Sequence, residues 1–279
     1  MAKQQPPNRP KQPIPLKSNP LIDFFKHSNQ LETTKMNTAI PAVIHTLLAR
    51  PVSYYQENPA EPDAQKAPLT NIAFVLDCSG SMNHGKGATI EGFNSQVEVV
   101  REGAKEAGNT TFTDVHFSDQ VELRCVAGNL KVLQPLSDQT YRPGGGTALY
   151  DAIGCTVAAL LQTPDINSQD TAVLVTVFTD GGENHSRVYD GATIKAIIER
   201  LEASGRWTFA LVGPLQTVTS LATSLSVNER NIAGFDVASV VDKRRAFQKV
   251  AEASESYMAM RKSGGKQSRG LYDDKDLLG

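Results

Sequence analysis

Apolar runs of strand length recur along the chain and alternate with segments of helical periodicity. NIAFVLD at 71–77 and TAVLVTVFTD at 171–180 are nearly continuous in apolar residues, which is typical of strands buried on both faces. Between them, ATIEGFNSQVEVVREGAKEAG at 88–108 carries apolar residues at helical spacing. Strands that alternate with helices predict a mostly parallel sheet with helices on both faces, a doubly wound α/β fold.

Four further strands are predicted from shorter β-rich runs. TTFTDVHFS at 110–118 and QVELRCV at 120–126 are separated by a single residue, which requires a tight antiparallel hairpin and supplies one antiparallel edge strand. WTFALVG at 207–213 and NIAGFDV at 231–237 complete a six-stranded sheet. Further helices are predicted over 148–162, 191–205, 221–225 and 242–258.

Composition divides the 279 residues into one large domain and flanking segments. With 40% apolar residues, the chain has enough material for one sizeable core, which we place at 68–260. Residues 1–20 form a proline-rich N-terminal tail that is expected to be mobile, and 21–67 is a short helical arm that suits a lid or a docking role, with a helix at 42–50. The Gly, Ser and charge-rich residues 261–279 predict a flexible tail.

Charge and cysteine usage narrow the class of partner and the compartment. The net charge of -2 predicts no strong attraction to nucleic acid or to an anionic membrane. No apolar stretch has the length of a signal-peptide core or of a membrane span. Cys78, Cys125 and Cys155 are isolated and odd in number, which argues against disulfides and favours a reducing compartment. We therefore expect a cytoplasmic protein.

Hard oxygen donors follow the predicted strands at the points where ligands bind in doubly wound folds. Asp77, Ser79 and Ser81 end the first strand, Thr147 follows a glycine loop at the start of a helix, and Asp180 ends a later strand. Two carboxylates and three hydroxyls suit a hard divalent cation with octahedral coordination. Mg²⁺ is the first choice, and Mn²⁺ would also fit.

The same motifs have other interpretations, as helix caps, as enzyme motifs or as a phosphate-binding loop. One alternative is that Asp77 and the serines cap the next helix, as Asp and Ser commonly do. An aspartate phosphotransferase would need a second carboxylate where Ser79 stands, and a serine hydrolase elbow would need glycine where Asp77 stands. The loop Gly144–Gly146 has the glycines of a phosphate cradle but lacks the lysine of a P-loop, so it suits the presentation of Thr147 better.

Two histidines and two further polar residues near the motifs have open roles. His84 and His185 could act as a base or as ligands of a softer metal, although an outer or exposed position is favoured because oxygen donors already suffice. Glu183 and Asn184 follow Asp180 closely and could contact a water molecule or a helix terminus. The sequence leaves the roles of these four residues open.

Three motifs in register resemble the metal-ion-dependent adhesion site of von Willebrand factor A domains. They are DCSGS at 77–81, GGGTALYD at 144–151 and FTDGGEN at 178–184, and the resemblance covers about two thirds of the chain. It implies direct coordination by Ser79 and Ser81. It implies coordination by Thr147 in the ligand-engaged form, and roles for Asp77 and Asp180 directly or through water. It also implies an open coordination position for a partner's acidic side chain, with Cys78 turned away from the metal.

The resemblance favours a non-enzymatic protein-binding module that captures a partner's Asp or Glu through the metal. The alternative is a Mg²⁺-dependent hydrolase or phosphotransferase in which His84 or His185 handles protons. The chain looks like the stand-alone intracellular members of bacteria and phages. By analogy with them, the expected partner belongs to an assembly with an ATPase chaperone or to a stress or conflict system.

Overall fold

The computed structural model describes residues 68–272, which form a sheet of six strands flanked by five α-helices. The strands are β1 Leu69–Asp77, β2 Asn109–Phe117, β3 Val121–Gly128, β4 Ala172–Phe178, β5 Trp207–Pro214 and β6 Ile232–Phe235. The helices are α1 Lys86–Ala107, α2 Leu149–Leu160, α3 Gly191–Ala203, α4 Leu215–Leu225 and α5 Val240–Lys262. None of the helices in this part of the chain has the length and apolar content to cross a membrane.

The sheet order β3-β2-β1-β4-β5-β6 is that of a doubly wound fold, and it confirms the predicted fold class. Five strands are parallel, and β3 pairs antiparallel with β2 at the edge, as the short hairpin predicts. Asp77 aligns with Phe117 on β2, and Leu76 aligns with Phe178 on β4. The three central strands therefore end at nearly the same level, which brings their following loops together.

The core has one layer on each face of the sheet. Ala73 and Val75 of β1 point into the layer covered by α2, α3 and α4, whereas Phe74 and its alternate neighbours point toward α1 and α5. The Phe74 ring makes edge-to-face contacts with the Phe93, Phe112 and Phe178 rings at centroid distances of 5.8, 5.0 and 5.4 Å. The middle of β1 is apolar and buried on both faces, so its polar residues lie at its ends: Thr70 and Asn71 at the amino end and Asp77 at the carboxyl end.

The C-terminal boundary differs from the expectation of a flexible tail beginning at residue 261. Helix α5 continues to Lys262, and the following segment packs on the domain, with Leu271 and Tyr272 buried. The Gln267 amide donates to the Trp207 carbonyl (2.7 Å), and the Leu271 N–H donates to Asn231 Oδ1 (2.9 Å). The polar composition of this segment predicted mobility, but its polar groups form hydrogen bonds with residues at the start of β5 and just before β6. The predicted segments 1–20 and 21–67, and residues 273–279, lie outside the described residues.

Candidate metal site

The carboxyl end of β1 is held in place by backbone bonds to its neighbours. Tyr141, fully buried, donates its hydroxyl to the Asp77 carbonyl (2.7 Å), and the Cys78 N–H donates to the Phe117 carbonyl of β2 (2.6 Å). The Gly144 N–H in turn donates to the Cys78 carbonyl (2.8 Å). The turn after β1 is thus attached both to the next strand and to the glycine loop, so its side chains are positioned before any ligand arrives.

The glycine loop can lie close to the turn between β2 and β3 because Gly145 has no side chain. Its φ is +77°, in the left-handed region, and a Cβ atom there would lie 2.6 Å from Asp119 Oδ1. This conformation lets the Gly145 carbonyl accept the Gly80 N–H (3.1 Å). The loop therefore presents Thr147 next to the serines.

The Asp77 carboxylate is completely buried and both of its oxygens are engaged. Oδ1 accepts the Ser79 N–H (2.6 Å), and Oδ2 accepts the hydroxyl of Thr179 (2.6 Å), a buried residue that the sequence analysis missed. Burial raises the pKa of Asp77 above its ordinary value, and the hydrogen bonds from Ser79 and Thr179 oppose that rise. Its position suits an anionic anchor behind the serines.

The structure brings the hydroxyl groups of the three motifs to one point. Ser79 Oγ and Ser81 Oγ are 3.1 Å apart, and Ser81 Oγ donates to Asp180 Oδ1 (2.5 Å). A Cβ atom at Gly181 would lie 3.6 Å from Thr147 Oγ1 and 3.7 Å from Ser81 Oγ, so these two hydroxyls line the same small space. We call the cluster formed by Ser79, Ser81, Thr147 and Asp180, with Asp77 behind it, the oxygen cup.

The oxygen cup fits a hard divalent cation by its donor chemistry and by its spacing. Adjacent ligands of an octahedral Mg²⁺ lie about 2.9 Å apart when each is 2.0–2.1 Å from the ion, close to the 3.1 Å between the two serine hydroxyls. Within residues 68–272, no group of three or more His, Cys, Asp or Glu side chains is arranged to hold a metal ion. Ser81 is exposed and Asp180 half-buried, which leaves the cup open to solvent.

Glu183 and Asn184 have structural roles that the sequence left open. Asn184 Oδ1 accepts the Thr147 N–H (2.8 Å), while the Asn184 N–H donates to the Thr147 carbonyl (3.0 Å). Glu183 Oε2 accepts the Tyr150 N–H in the first turn of α2 (3.0 Å), and Oε1 accepts the His185 N–H (2.7 Å). Together they fix Thr147 at the start of the helix, and Glu183 takes the helix-terminus contact, one of the two roles that the sequence left open.

The two histidines and Cys78 lie at the margin of the cup. His84 is exposed, and the His185 ring packs over the glycine loop, where a Cβ atom at Gly146 would lie 2.8 Å from Nδ1. Cys78 packs, half-buried, against the core layer that includes α1 and α5, and burial raises the pKa of its thiol to about 12. Such a thiol stays protonated near neutral pH and is a poor metal ligand or nucleophile.

Lys243, on α5, is a buried residue beside the cup that sequence reasoning did not single out. Its side chain is 5% exposed, and Nζ donates to the His84 carbonyl (3.3 Å), three residues beyond Ser81. Burial lowers the pKa of Lys243, and the negative charges of Asp180 and Asp77 oppose that change. Nothing in its sequence context distinguishes it from the exposed arginines that follow it.

Asp151 is a third missed residue, although it lies within the GGGTALYD motif. Its Oδ2 accepts the Arg187 N–H (2.8 Å), and its Oδ1 accepts the N–H groups of Val188 (3.0 Å) and Tyr189 (2.9 Å). The loop that leads from β4 to α3 therefore folds around this carboxylate. A carboxylate in the first turn of a helix was the available signal, but only the folded loop shows what it binds.

Comparison with known proteins adds little beyond the fold. No protein-family model matches the chain, and no curated protein does. Among solved structures, the PilB minor pilin from Streptococcus sanguinis is similar, with 14% identity, a TM-score of 0.49, and coverage of 71% of this chain and 63% of the pilin. This chain therefore spans less than two thirds of that protein.

Two further solved structures are similar over comparable lengths. A von Willebrand factor type A protein from Catenulispora acidiphila has 15% identity, a TM-score of 0.42, and coverage of 67% of this chain and 42% of that one. Proximal thread matrix protein 1 from the mussel byssus, with a zinc-occupied metal-ion-dependent adhesion site, has 16% identity, a TM-score of 0.48, and coverage of 70% and 46%. At such values the function must be argued from the site alone.

Proposed function

We propose that this protein is a non-enzymatic binding module that holds Mg²⁺, or Mn²⁺, in the oxygen cup and captures a partner protein through an Asp or Glu side chain. The observation that carries the proposal is the convergence of the Ser79, Ser81 and Thr147 hydroxyls with Asp180 at a solvent-open strand end. The resemblance to von Willebrand factor A domains points to the same function.

The charges in the cup explain why a carboxylate would be the preferred ligand. The serine and threonine hydroxyls carry no formal charge, and Asp77 is buried with both oxygens already engaged. A divalent cation next to Asp180 therefore keeps part of its positive charge. A partner's carboxylate gains a charge-assisted bond there that a neutral side chain cannot match.

The local contacts favour binding over a Mg²⁺-dependent hydrolase or phosphotransferase. The Glu183 carboxylate accepts hydrogen bonds from N–H groups of the loop and of α2. The His185 ring lies against the glycine loop, and its Nε2 is 3.5 Å from Arg187 Nη2. Asp77 is shielded from solvent. Glu183, His185 and Asp77 are thus engaged in building the site, whereas His84 is exposed at its margin. We extend the proposal to a cytoplasmic assembly, as the cysteine usage and the resemblance suggest.

The direct test is a pull-down with the full chain in Mg²⁺ or in chelator, followed by mass spectrometry and by calorimetry with the partner found. Binding should require the metal and should be abolished by Asp77→Ala in a protein that remains folded. The matched control is Asp138→Ala, which removes an exposed carboxylate that pairs with Lys86 at the surface. Binding that ignores both chelator and Asp77→Ala would place the partner on another surface.

A screen of generic phosphatase and nuclease substrates separates the two function classes. Wild-type protein with Mg²⁺ should turn over none of them faster than the Asp77→Ala protein. Turnover that needs both Mg²⁺ and Asp77 would refute the non-enzymatic assignment and support the alternative.

A further inference from the structure

The exposed large apolar residues of the described chain are all located at one edge of the sheet. Within residues 68–272 they are Val188, Leu215, Val237, Val240 and Val241, with exposed fractions of 37%, 54%, 54%, 36% and 57%. Each lies in a loop or first helical turn that follows the carboxyl end of a parallel strand. A single exposed apolar residue such as Val188 needs no explanation, but the four that follow β5 and β6, at the edge that carries the oxygen cup, mark an interaction surface.

Four of these residues form what we call the valine patch: Leu215, Val237, Val240 and Val241. Leu215 follows β5, and the three valines follow β6. The Leu215 side chain lies against Gly234, where a Cβ atom would be 2.5 Å from Leu215 Cδ1. The first turn of α4 therefore packs against β6, three residues before Val237. Since β5 and β6 are the next strands after β4 in the sheet, the patch is next to the cup.

The patch and the cup are joined by a buried side chain. Two residues after Val241, Lys243 reaches across to the His84 carbonyl in the loop that follows Ser81. Its stem lies against Gly85, and its ammonium lies 5.7 Å from the centre of the Phe235 ring. The first turn of α5 and the loop that follows Ser81 thus belong to one surface.

Charged groups beside the valine patch are already paired within the protein. Arg244 pairs with Glu91 (2.8 Å), and Arg245 pairs with Asp242 (3.4 Å). The Asp236 carboxylate accepts the N–H of Ala238 two residues on (2.9 Å). The patch itself therefore offers a partner apolar contact, and the charge that attracts an acidic group comes from the metal in the cup.

We propose that the cup and the valine patch together bind a segment of another protein in which an acidic residue is accompanied by large apolar residues a few positions away. This inference rests on the proposed function. Neighbouring strands are about 4.8 Å apart, so the patch lies roughly 10–15 Å from the cup. An extended segment advances about 3.3 Å per residue, which places the apolar residues about three or four positions from the acidic one.

The test is a selection from a displayed peptide library with one constant Asp and four randomised positions on each side, carried out on the full chain in Mg²⁺. Selected peptides should be enriched in Leu, Ile, Val or Phe about three or four positions from the Asp. The double variant Val237→Ser with Val241→Ser should bind the best peptide about tenfold more weakly, since it loses apolar contact area. Val188→Ser is the matched control, on the loop toward α3, and should change the affinity less than twofold.

The outcomes separate this inference from the proposed function. Chelator-sensitive binding without apolar enrichment, or with equal affinity for the double variant, overturns the valine patch and leaves the metal mechanism standing. Binding that is insensitive to chelator overturns both. This chain's own residues 21–25 read LIDFF, an acidic residue flanked by large apolar residues, although these stand one and two positions from Asp23 rather than three or four. If Asp23→Asn raises the affinity for the best peptide tenfold or more, that segment competes for the surface, and the assignment to another protein is overturned.

Discussion

The two edges of the sheet use the same kinds of polar residues for opposite purposes. At the amino edge, Arg261 donates to Thr70 Oγ1 (2.9 Å) and to the carbonyls of Leu69 (3.2 Å), Asp170 (2.8 Å) and Gly265 (2.6 Å). At the carboxyl edge, the hydroxyls of the oxygen cup bond mainly to one another and to Asp180. The hydrogen bonds of Arg261 hold the amino edge of the fold together, whereas the hydroxyls of the oxygen cup keep lone pairs available for an incoming cation.

The difference teaches that burial alone does not separate structural from functional polar groups here. Asn71 and Thr113 are as buried as Ser79 and Thr147. The amide of Asn71, however, donates to Thr111 Oγ1 (2.8 Å), and its oxygen accepts from Thr113 Oγ1 (3.2 Å). The two edges differ in the hydrogen-bond partners of their polar groups. At the amino edge the partners are other structural groups, whereas at the carboxyl edge they are members of a cluster that is open to solvent.

Breaking the amino edge should produce the largest change in stability. Arg261→Met leaves three backbone carbonyls without their donor and should lower the free energy of unfolding by about 3–5 kcal/mol, measured by urea denaturation. The stabilisation by Mg²⁺ should be unchanged. Arg244→Met, which removes an exposed pair with Glu91, is the control and should change stability little. An Arg261→Met protein as stable as wild type would remove the structural role assigned to this edge.

Breaking the carboxyl edge should abolish the response to metal. A ligand at a hundredfold excess over its Kd stabilises the native state by about 2.7 kcal/mol, and Asp77→Ala should lose that increment because the anchor behind the serines is gone. Melting curves in Mg²⁺ and in chelator measure it, with Asp138→Ala as control. If Asp77→Ala keeps the full Mg²⁺ shift, the cup is not the metal site.

Thr147 offers a smaller and more selective change within the cup. Thr147→Ala should weaken the Mg²⁺-dependent binding of an acidic peptide about tenfold, in the range seen when one group supporting a metal is lost. Thr147→Ser keeps the hydroxyl and should restore most of the affinity. Calorimetry with both variants makes the comparison. Equal losses for the two would show that the threonine methyl, rather than the hydroxyl, matters.

The smallest expected effect concerns the charge of Lys243. Its ammonium lies on the same side as the cup and opposes a bound cation, so Lys243→Met should raise the Mg²⁺ affinity about threefold. Lys262→Met removes the same charge at the far end of α5, where it pairs with Glu106, and should leave the affinity unchanged. A weaker Mg²⁺ affinity in Lys243→Met would show that its bond to the His84 carbonyl outweighs its charge.

Much of the sheet was predictable because its strands are buried on both faces. A strand such as β4, in which every residue is buried, must be apolar throughout, and that pattern is local. The hairpin between β2 and β3 was predictable for a related reason, since one intervening residue allows only an antiparallel connection. The C-terminal boundary was not predictable, because Gln267 and Leu271 are held by groups more than thirty positions away in the chain.

The sequence by itself determined that Asp77, Ser79, Ser81, Thr147 and Asp180 follow strands or begin a helix, because strand length and helix periodicity are local properties. Parallel strands then require these residues to share one edge. Tertiary structure alone decided that Tyr141 and Thr179 hold Asp77, and that Lys243 donates to the loop that follows Ser81. Those contacts join residues 64, 102 and 159 positions apart, so they depend on which loops the sheet order makes neighbours.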